Sequence, residues 1–318
     1  MKRVDINFFP GWTRKSVTFT IDDGNVTMDR KFMSIVKPAG IVGTFNLYDV
    51  TKMTPDEFRE LYRGYEIANH CKRHPLPMLD GRSYVISDEP FDRESSRTYT
   101  ADDPVIHRTD EDGIYMIHRN PKRPRPDGWC RIVDAEKYLA LAAESHAELE
   151  AIFGKGSIKG FVWPYGGQDN STVQAALAES YASVRRTGAR CDSEGYGIPS
   201  DRANWSYTAH NLNMLEEMEK YEAYPDDGKL KCFSFGVHSI DFERSGNWCD
   251  LVAFAERYGN RPEDYYYATV SDVFEHEDAV KSASVTDTAI YNPSERTLYA
   301  TVDGRRVTIP PHFTYPLV

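Results

Sequence analysis

Cysteine is scarce in this sequence. Its 318 residues hold five, Cys71, Cys130, Cys191, Cys232 and Cys249. The number is odd and no two form a C-x-x-C pair, which excludes a disulfide framework and a cysteine-built structural zinc site. A reducing compartment fits that usage. Long apolar runs are missing too, and no stretch approaches the ~20 apolar residues of a membrane helix. The N-terminus carries Lys2 and Arg3, but Asp5, Asn7 and Pro10 interrupt any apolar stretch behind them, so it does not read as a secretion signal. A soluble, cytoplasmic protein with no membrane partner is the expectation. Positive charge is also in deficit. The 38 Lys and Arg against 49 Asp and Glu leave a net charge of -11, a field that opposes nucleic acid as a partner.

What is present is enough for a core. Hydrophobic residues make up 40% of the chain and charged residues 27%, the balance of a globular protein. Short β-rich runs alternate with helical patterns. Strands are predicted at 16–21, 41–47, 65–69, 158–163, 181–186, 230–237 and 265–270. Helices are predicted at 29–36, 54–63, 134–153, 171–180, 213–222 and 247–258. Thr54-Pro55-Asp56-Glu57 is a capping box with proline at the first helical position. Seven strands separated mostly by helices predict an α/β fold with a parallel sheet, closed or nearly closed into a barrel.

Two regions break the rhythm. Residues 76–133 are polar and rich in Pro, Asp and Arg, with Tyr84, Phe91, Tyr115 and Trp129 among them. A stretch of that length without periodicity is a functional excursion or a poorly ordered loop. It leaves directly after a pair of histidines, so it is expected at the rim of the site. From residue 283 the pattern turns all-β. Asp303-Gly304 between two alternating runs predicts a type I′ hairpin. The expected organisation is a barrel over 1–282, interrupted by an insertion at about 76–133, and a small β appendage over 283–318.

Chemistry gathers at the predicted strand ends. Thr20-Ile21-Asp22-Asp23-Gly24 closes the first strand with two adjacent carboxylates. Alone, Asp-Asp-Gly is a common turn. His70-Cys71-Lys72-Arg73-His74-Pro75 follows another strand, and histidines four apart can face one metal from a helical turn or tight loop. In a parallel sheet both clusters converge on one face. A carboxylate with two neutral imidazoles is a zinc-type ligand set that leaves positions open for water, and the second carboxylate is then placed to take a proton from that water. Nitrogen donors favour Zn2+, Co2+ or Ni2+ over Mg2+, and one Zn2+ is the expected ion. Three further clusters end strands or fill loops: Gly160-Phe161-Val162-Trp163-Pro164-Tyr165-Gly166-Gly167, Asp201-Arg202-Ala203-Asn204-Trp205, and Phe233-Ser234-Phe235-Gly236-Val237-His238.

Their order over residues 16 to about 240 resembles the five motifs of the polysaccharide deacetylases of carbohydrate esterase family 4, the NodB-homology group. The resemblance implies a distorted (β/α)7 barrel. It implies Asp22 as general base, with Asp23, His70 and His74 as metal ligands. It places the Tyr165 backbone N–H toward the oxyanion and makes His238 the acid that protonates the leaving amine. Asp201 would orient His238, and Trp205 would wall the acyl pocket. Apart from the resemblance, Trp129 of the insertion could wall the cleft or stack on a sugar ring, and Trp163 is a further pocket candidate. Three positions depart from the pattern. Cys71 stands for Ser or Thr. Val162 stands for the arginine that tethers the base, and Arg186 or, second, Arg185 is the expected replacement. Gly236 stands for the leucine that closes the pocket on an acetyl methyl, so an enlarged pocket is expected unless a neighbour such as Trp163 fills it.

The leading expectation is hydrolysis of a C–N amide bond, N-deacetylation of a carbohydrate above all, on an oligosaccharide or small-molecule substrate. Hydrolysis of a small ureide or cyclic imide is the alternative, and a carbohydrate-binding relic that lost catalysis with its arginine is a third. A homo-oligomer is compatible with all of them.

Overall fold

The computed structural model describes residues 2–91, 105–118, 128–167, 169–187 and 196–317. Cys191 and parts of the predicted insertion lie outside the described residues.

The strand Lys15–Asp22 explains the centre of the molecule. Seven of its eight residues are buried, because neighbours cover both faces, as in a parallel sheet. Its side chains alternate by the two-residue period. Val17, Phe19 and Ile21 join the apolar cluster under the helices, while Thr20 and Asp22 meet Asn46 of the neighbouring strand. The same division recurs on Gly43–Leu47 and Lys231–His238: Phe45, Leu47, Phe233, Phe235 and Val237 join the same apolar cluster, while Thr44 and Asn46 line the inside.

All pairings in this sheet are parallel. Its order runs Ser183–Arg185, Gly160–Val162, Glu66–Asn69, Gly43–Leu47, Lys15–Asp22, Lys231–His238, with Tyr265–Tyr267 also pairing with Lys15–Asp22. The sheet curls, and the segment 205–209 bridges its two edge strands. Trp205 pairs with Arg185, and Ala209 with Phe235. Seven parallel strands with helices outside agree with the predicted distorted (β/α)7 barrel of the NodB-homology type.

Local signals placed the helices. Thr54 and Glu57 form the capping box that opens Pro55–Leu61. Asp134 caps Ala135–Phe153, and Asn170 caps Ser171–Ser180. Two helices were not foreseen, Ser239–Ser245 and Val270–Ser282.

The stretch expected as an irregular insertion folds in part as a sheet of its own. Leu76–Pro77, Trp129–Val133, Tyr115–His118, Val105–Arg108 and Val85–Pro90 are its five strands, in that order. At the C-terminal end, Leu298–Val302 and Arg305–Ile309 form the hairpin, with Asp303 at φ 50 and Gly304 at φ 78. The expected boundary at 283 is not a boundary in the sheets, because Val4–Phe8 adds to this hairpin as a third strand.

One buried acid ties the outer layer to the strand carrying His238. Asp29 is fully buried on Val26–Val36 and accepts from Tyr62 Oη at 2.7 Å and Ser239 Oγ at 2.6 Å. Burial prevails over those two hydrogen bonds and pushes it up to about 6. Its folded value thus lies above the unfolded one, near 3.9. The neutral acid's contribution is fully present below about pH 4 and is lost as pH rises through 6. Two units correspond to roughly 3 kcal/mol. Urea titrations at pH 5 and pH 8 should therefore show Asp29→Asn gaining on the wild type by about half that amount as pH rises, the other half being lost already below pH 5. A difference independent of pH would refute the assignment.

Candidate active site

The site is assembled at the C-terminal ends of the parallel strands. Register sets its first level, since Asp22 lies beside Asn46 on one side and beside His238 on the other. The turns that follow are tight. Of the ten non-glycine residues with positive φ among the described residues, five belong here: Asp23, Cys71, Arg73, His74 and Tyr165. Backbone held in a sparsely populated region needs surrounding structure to fix it, and it collects at functional sites. The histidine pair is thus carried by a turn, closed by His74 N–H donating to Cys71 O at 2.9 Å.

Asp23, His70 and His74 converge. Asp23 Oδ1 lies 3.3 Å from His70 Nε2 and 3.4 Å from His74 Nε2, and the two Nε2 atoms are 3.1 Å apart. His70 Nδ1 is 2.8 Å from Val162 O. A carbonyl only accepts, so Nδ1 carries the proton and, in the neutral ring, Nε2 presents its lone pair to the cluster. Burial, with His70 adding to it, pushes His74 down to about 3, so its ring is neutral at ordinary pH. Burial opposes the charge of Asp23, but His70 and His74 prevail and hold it well below the usual carboxylate range. Asp23 Oδ1 is buried without a hydrogen-bond partner. Electron pairs from a carboxylate and two imidazoles meeting at these distances repel unless a cation lies among them. Ligand atoms ~2.1 Å from a tetrahedral centre stand ~3.4 Å apart, so the set fits one divalent ion.

On one side of this cluster is Asp22. Arg185 Nη2 and Asn46 Nδ2, the latter at 2.7 Å, both donate to its Oδ1. Burial would raise Asp22, but Arg185, His70 and His238 outweigh it and the carboxyl is lowered. Arg185 is 1% exposed, and its neighbour Arg186 points the other way, to Asp169 at 3.1 Å and toward the Trp163 ring. Strand alternation does admit only one of the pair, and it is Arg185, the second choice from sequence. A cation therefore tethers Asp22 even though Val162 holds the position of the family's arginine, which removes the ground for the relic reading.

On the other side is His238, whose Nε2 lies 3.7 Å from Asp23 Oδ2. Its Nδ1 meets Asp241 Oδ2 at 2.8 Å. Burial works against the imidazolium, but Asp241, then Asp22 and Asp23, raise His238 to about 9. The residue orienting this histidine is Asp241 and not Asp201. Asp201 is exposed and accepts from Ala203 N–H in its own turn. The signal for Asp241 was an acid three residues on from the histidine, where a helix starts.

The expected tryptophan walls lie elsewhere. Trp163 is packed between Tyr138 and Phe161 under the outer helices. Trp205, 3% exposed, meets Phe274 edge-on and borders a void of about 10 Å³ inside the barrel. Trp129 is internal to the insertion sheet, against Phe91, His107 and His118. Their size favours core positions. The aromatic groups beside the cluster are Tyr165 and Tyr48, whose ring centroids lie 4.4 and 5.0 Å from that of His74. Tyr48 was not foreseen. The insertion does reach this rim. Tyr165 packs on its apolar cluster, Arg131 Nη1 donates to Arg73 O, and Arg73 pairs with Glu111.

Residues 11–184, more than half of the chain, match the family profile described as Polysaccharide deacetylase. The chain belongs to the polysaccharide deacetylase family. Family members are hydrolases that cleave amide or ester bonds of polysaccharides with a divalent metal. The matched segment carries Asp22, Asp23, His70, His74 and Tyr165, and it stops one residue before Arg185. Similar solved structures include the Xyl-CE4 domain of a multidomain xylanase from the hindgut metagenome of Trinervitermes trinervoides, at 14% identity and TM-score 0.45, covering 84% of this chain and 92% of that one. A chitin deacetylase from the fungal pathogen Colletotrichum lindemuthianum shares 12% at TM-score 0.43, covering 85% and 89%. A family 4 acetyl xylan esterase from Clostridium thermocellum, in complex with a cobalt ion, shares 15% at TM-score 0.41, covering 81% and 89%. No curated protein matches the sequence significantly.

Proposed function

We propose that the chain is an N-deacetylase-type hydrolase of carbohydrate amides, with one divalent ion, Zn2+ first, held by Asp23, His70 and His74. One observation carries this reading. The three converging ligand atoms lie between a carboxylate held by Arg185 and an imidazole held by Asp241. A cation there would supply Lewis acidity to a water and to the substrate carbonyl.

The rest of the work falls to the chain. Asp22 accepts the proton of the attacking water, and Arg185 and Asn46 fix its carboxylate on one oxygen. His238 donates to the leaving nitrogen, with Asp241 supporting its charged form. The Tyr165 backbone N–H is the donor assigned to the developing oxyanion.

The test is elemental analysis beside activity. Protein purified without chelator should carry close to one divalent ion per chain and release acetate from N-acetylated oligosaccharides. His74→Ala should lose both. Full metal content in that variant, with circular dichroism unchanged, would sink the ligand assignment.

A further inference from the structure

The residue two before His238 on its strand points the same way as the histidine. It is Gly236, and the space beside it is filled. A Cβ there would stand 2.0 Å from Tyr207 Cδ1, 2.3 Å from Cγ and 2.4 Å from Cε1. Carbon atoms in contact sit at about 3.5–4.0 Å, so only glycine tolerates the ring in this position. Gly236 lies inside a regular strand. Backbone freedom does not account for it, whereas the ring does. The pocket expected to be enlarged is re-walled by a tyrosine twenty-nine positions away in sequence.

Tyr207 rides on the segment that closes the barrel. Arg186 N–H donates to Trp205 O at 2.8 Å, and Gly236 N–H donates to Ala209 O at 2.9 Å, so both flanks of Tyr207 are pinned to edge strands. The side chain is half-buried, with the Arg185 guanidinium 5.4 Å from its ring centre. Burial raises the phenol, Arg185 partly offsets that, and Asp22 and Asp241 add to it. The hydroxyl therefore stays a donor and lies within the field of both the base and the group holding the acid. Its oxygen makes no hydrogen bond to a described residue.

The reaction geometry says what this wall faces. The carbonyl carbon under attack has four substituents. Its oxygen faces the Asp23, His70 and His74 cluster, the incoming water faces Asp22, and the nitrogen faces His238. The fourth is the remainder of the acyl group, the methyl in an acetyl. The side left for it is that of Gly236, which shares a strand face with His238, and the Tyr207 ring fills that side with the Asp22-bound Arg185 next to it. An aliphatic wall would favour a bare methyl, whereas a phenol with a free hydroxyl favours a polar atom.

We propose that Tyr207 is the specificity-determining wall of the acyl pocket and selects an acyl group with a hydrogen-bonding atom next to the scissile carbonyl, a hydroxyacyl amide over a plain acetyl amide. This rests on the site being an amide hydrolase.

The test is a minimal pair. N-glycolyl- and N-acetylglucosamine oligomers differ by one hydroxyl and are assayed side by side, while binding of the free acids, glycolate and acetate, is measured by calorimetry. The wild type should favour glycolyl in kcat/KM. Tyr207→Phe should reduce that preference about three- to ten-fold, the size of one neutral hydrogen bond, and should reduce the glycolate-over-acetate binding ratio likewise. A merely structural tyrosine would lower both substrates equally and leave the ratio unchanged, which overturns the proposal. The double variant Gly236→Leu with Tyr207→Ala should prefer acetyl. If neither oligomer is hydrolysed, the hydrolase reading fails, and acid binding still decides the wall: a glycolate preference lost in Tyr207→Phe supports it, and equal binding discards it.

Discussion

Asp22→Asn should keep the divalent ion and lose most of the turnover, by ~10²–10⁴-fold, the usual worth of a positioned base. The carboxamide retains an oxygen that can accept from Asn46 and Arg185, so the cleft keeps its shape. It has no basic electron pair for the water's proton. Asp23, which faces His70 and His74 and not Arg185, is already committed to the cluster. Rate and metal content should therefore separate in this variant, unlike in His74→Ala, where they fall together. The measurement is kcat on a substrate the wild type hydrolyses, with metal determined on the same preparation. Undiminished kcat would place the base elsewhere.

The largest effect on stability is expected at Arg185. Removing one partner of a buried ion pair strands the other charge, and this typically destabilises by ~3–5 kcal/mol. Arg185→Met should do so, because Asp22 lies in the same buried pair and would keep only Asn46 as a donor. Arg186→Met is the matched control. Its partner Asp169 is 88% exposed, and exposed pairs contribute about 0–1 kcal/mol. Urea midpoints of the two variants should differ by most of the Arg185 effect. Equal midpoints would mean that the guanidinium does not hold the base.

These two arginines also show how far the sequence could be read. The period of two made it certain that one faces inward, but not which, since that depends on where the strand begins its alternation relative to the barrel axis. Ser183 and Val184 decide it, and neither is distinctive in sequence. The candidate metal set was legible because adjacent acids and paired histidines at strand ends are rare in combination. Trp205 misled because an aromatic in a motif was assigned to the pocket on resemblance, and Trp129 because its segment leaves at the rim, while the bulk of each is more readily satisfied in a core. Val270–Ser282 was legible and was missed. Thr269 and Asp272 form a capping box, and Val270, Val273, Phe274 and Val280 recur with helical spacing. An apolar run read as strand to 270 hid the cap. Tyr207 could not have been found at all, since nothing near it in sequence points to Gly236.

The third strand of the tail hairpin has a temporal meaning. Val4–Phe8 is made long before its partner Leu298–Val302, with the whole barrel between them in the chain. The Arg3 and Asp303 backbones bond each other, and Trp12 Nε1 donates to Ala300 O. Until then the earlier strand lacks this partner, and the pairing must close a loop that holds the whole barrel. Such distant contacts slow folding, because chain entropy is lost before any contact is gained. The barrel can form around its own parallel strands in the meantime. Stitching Val4–Phe8 onto the hairpin is then a late step, a latch that cannot fasten before the hairpin itself is made.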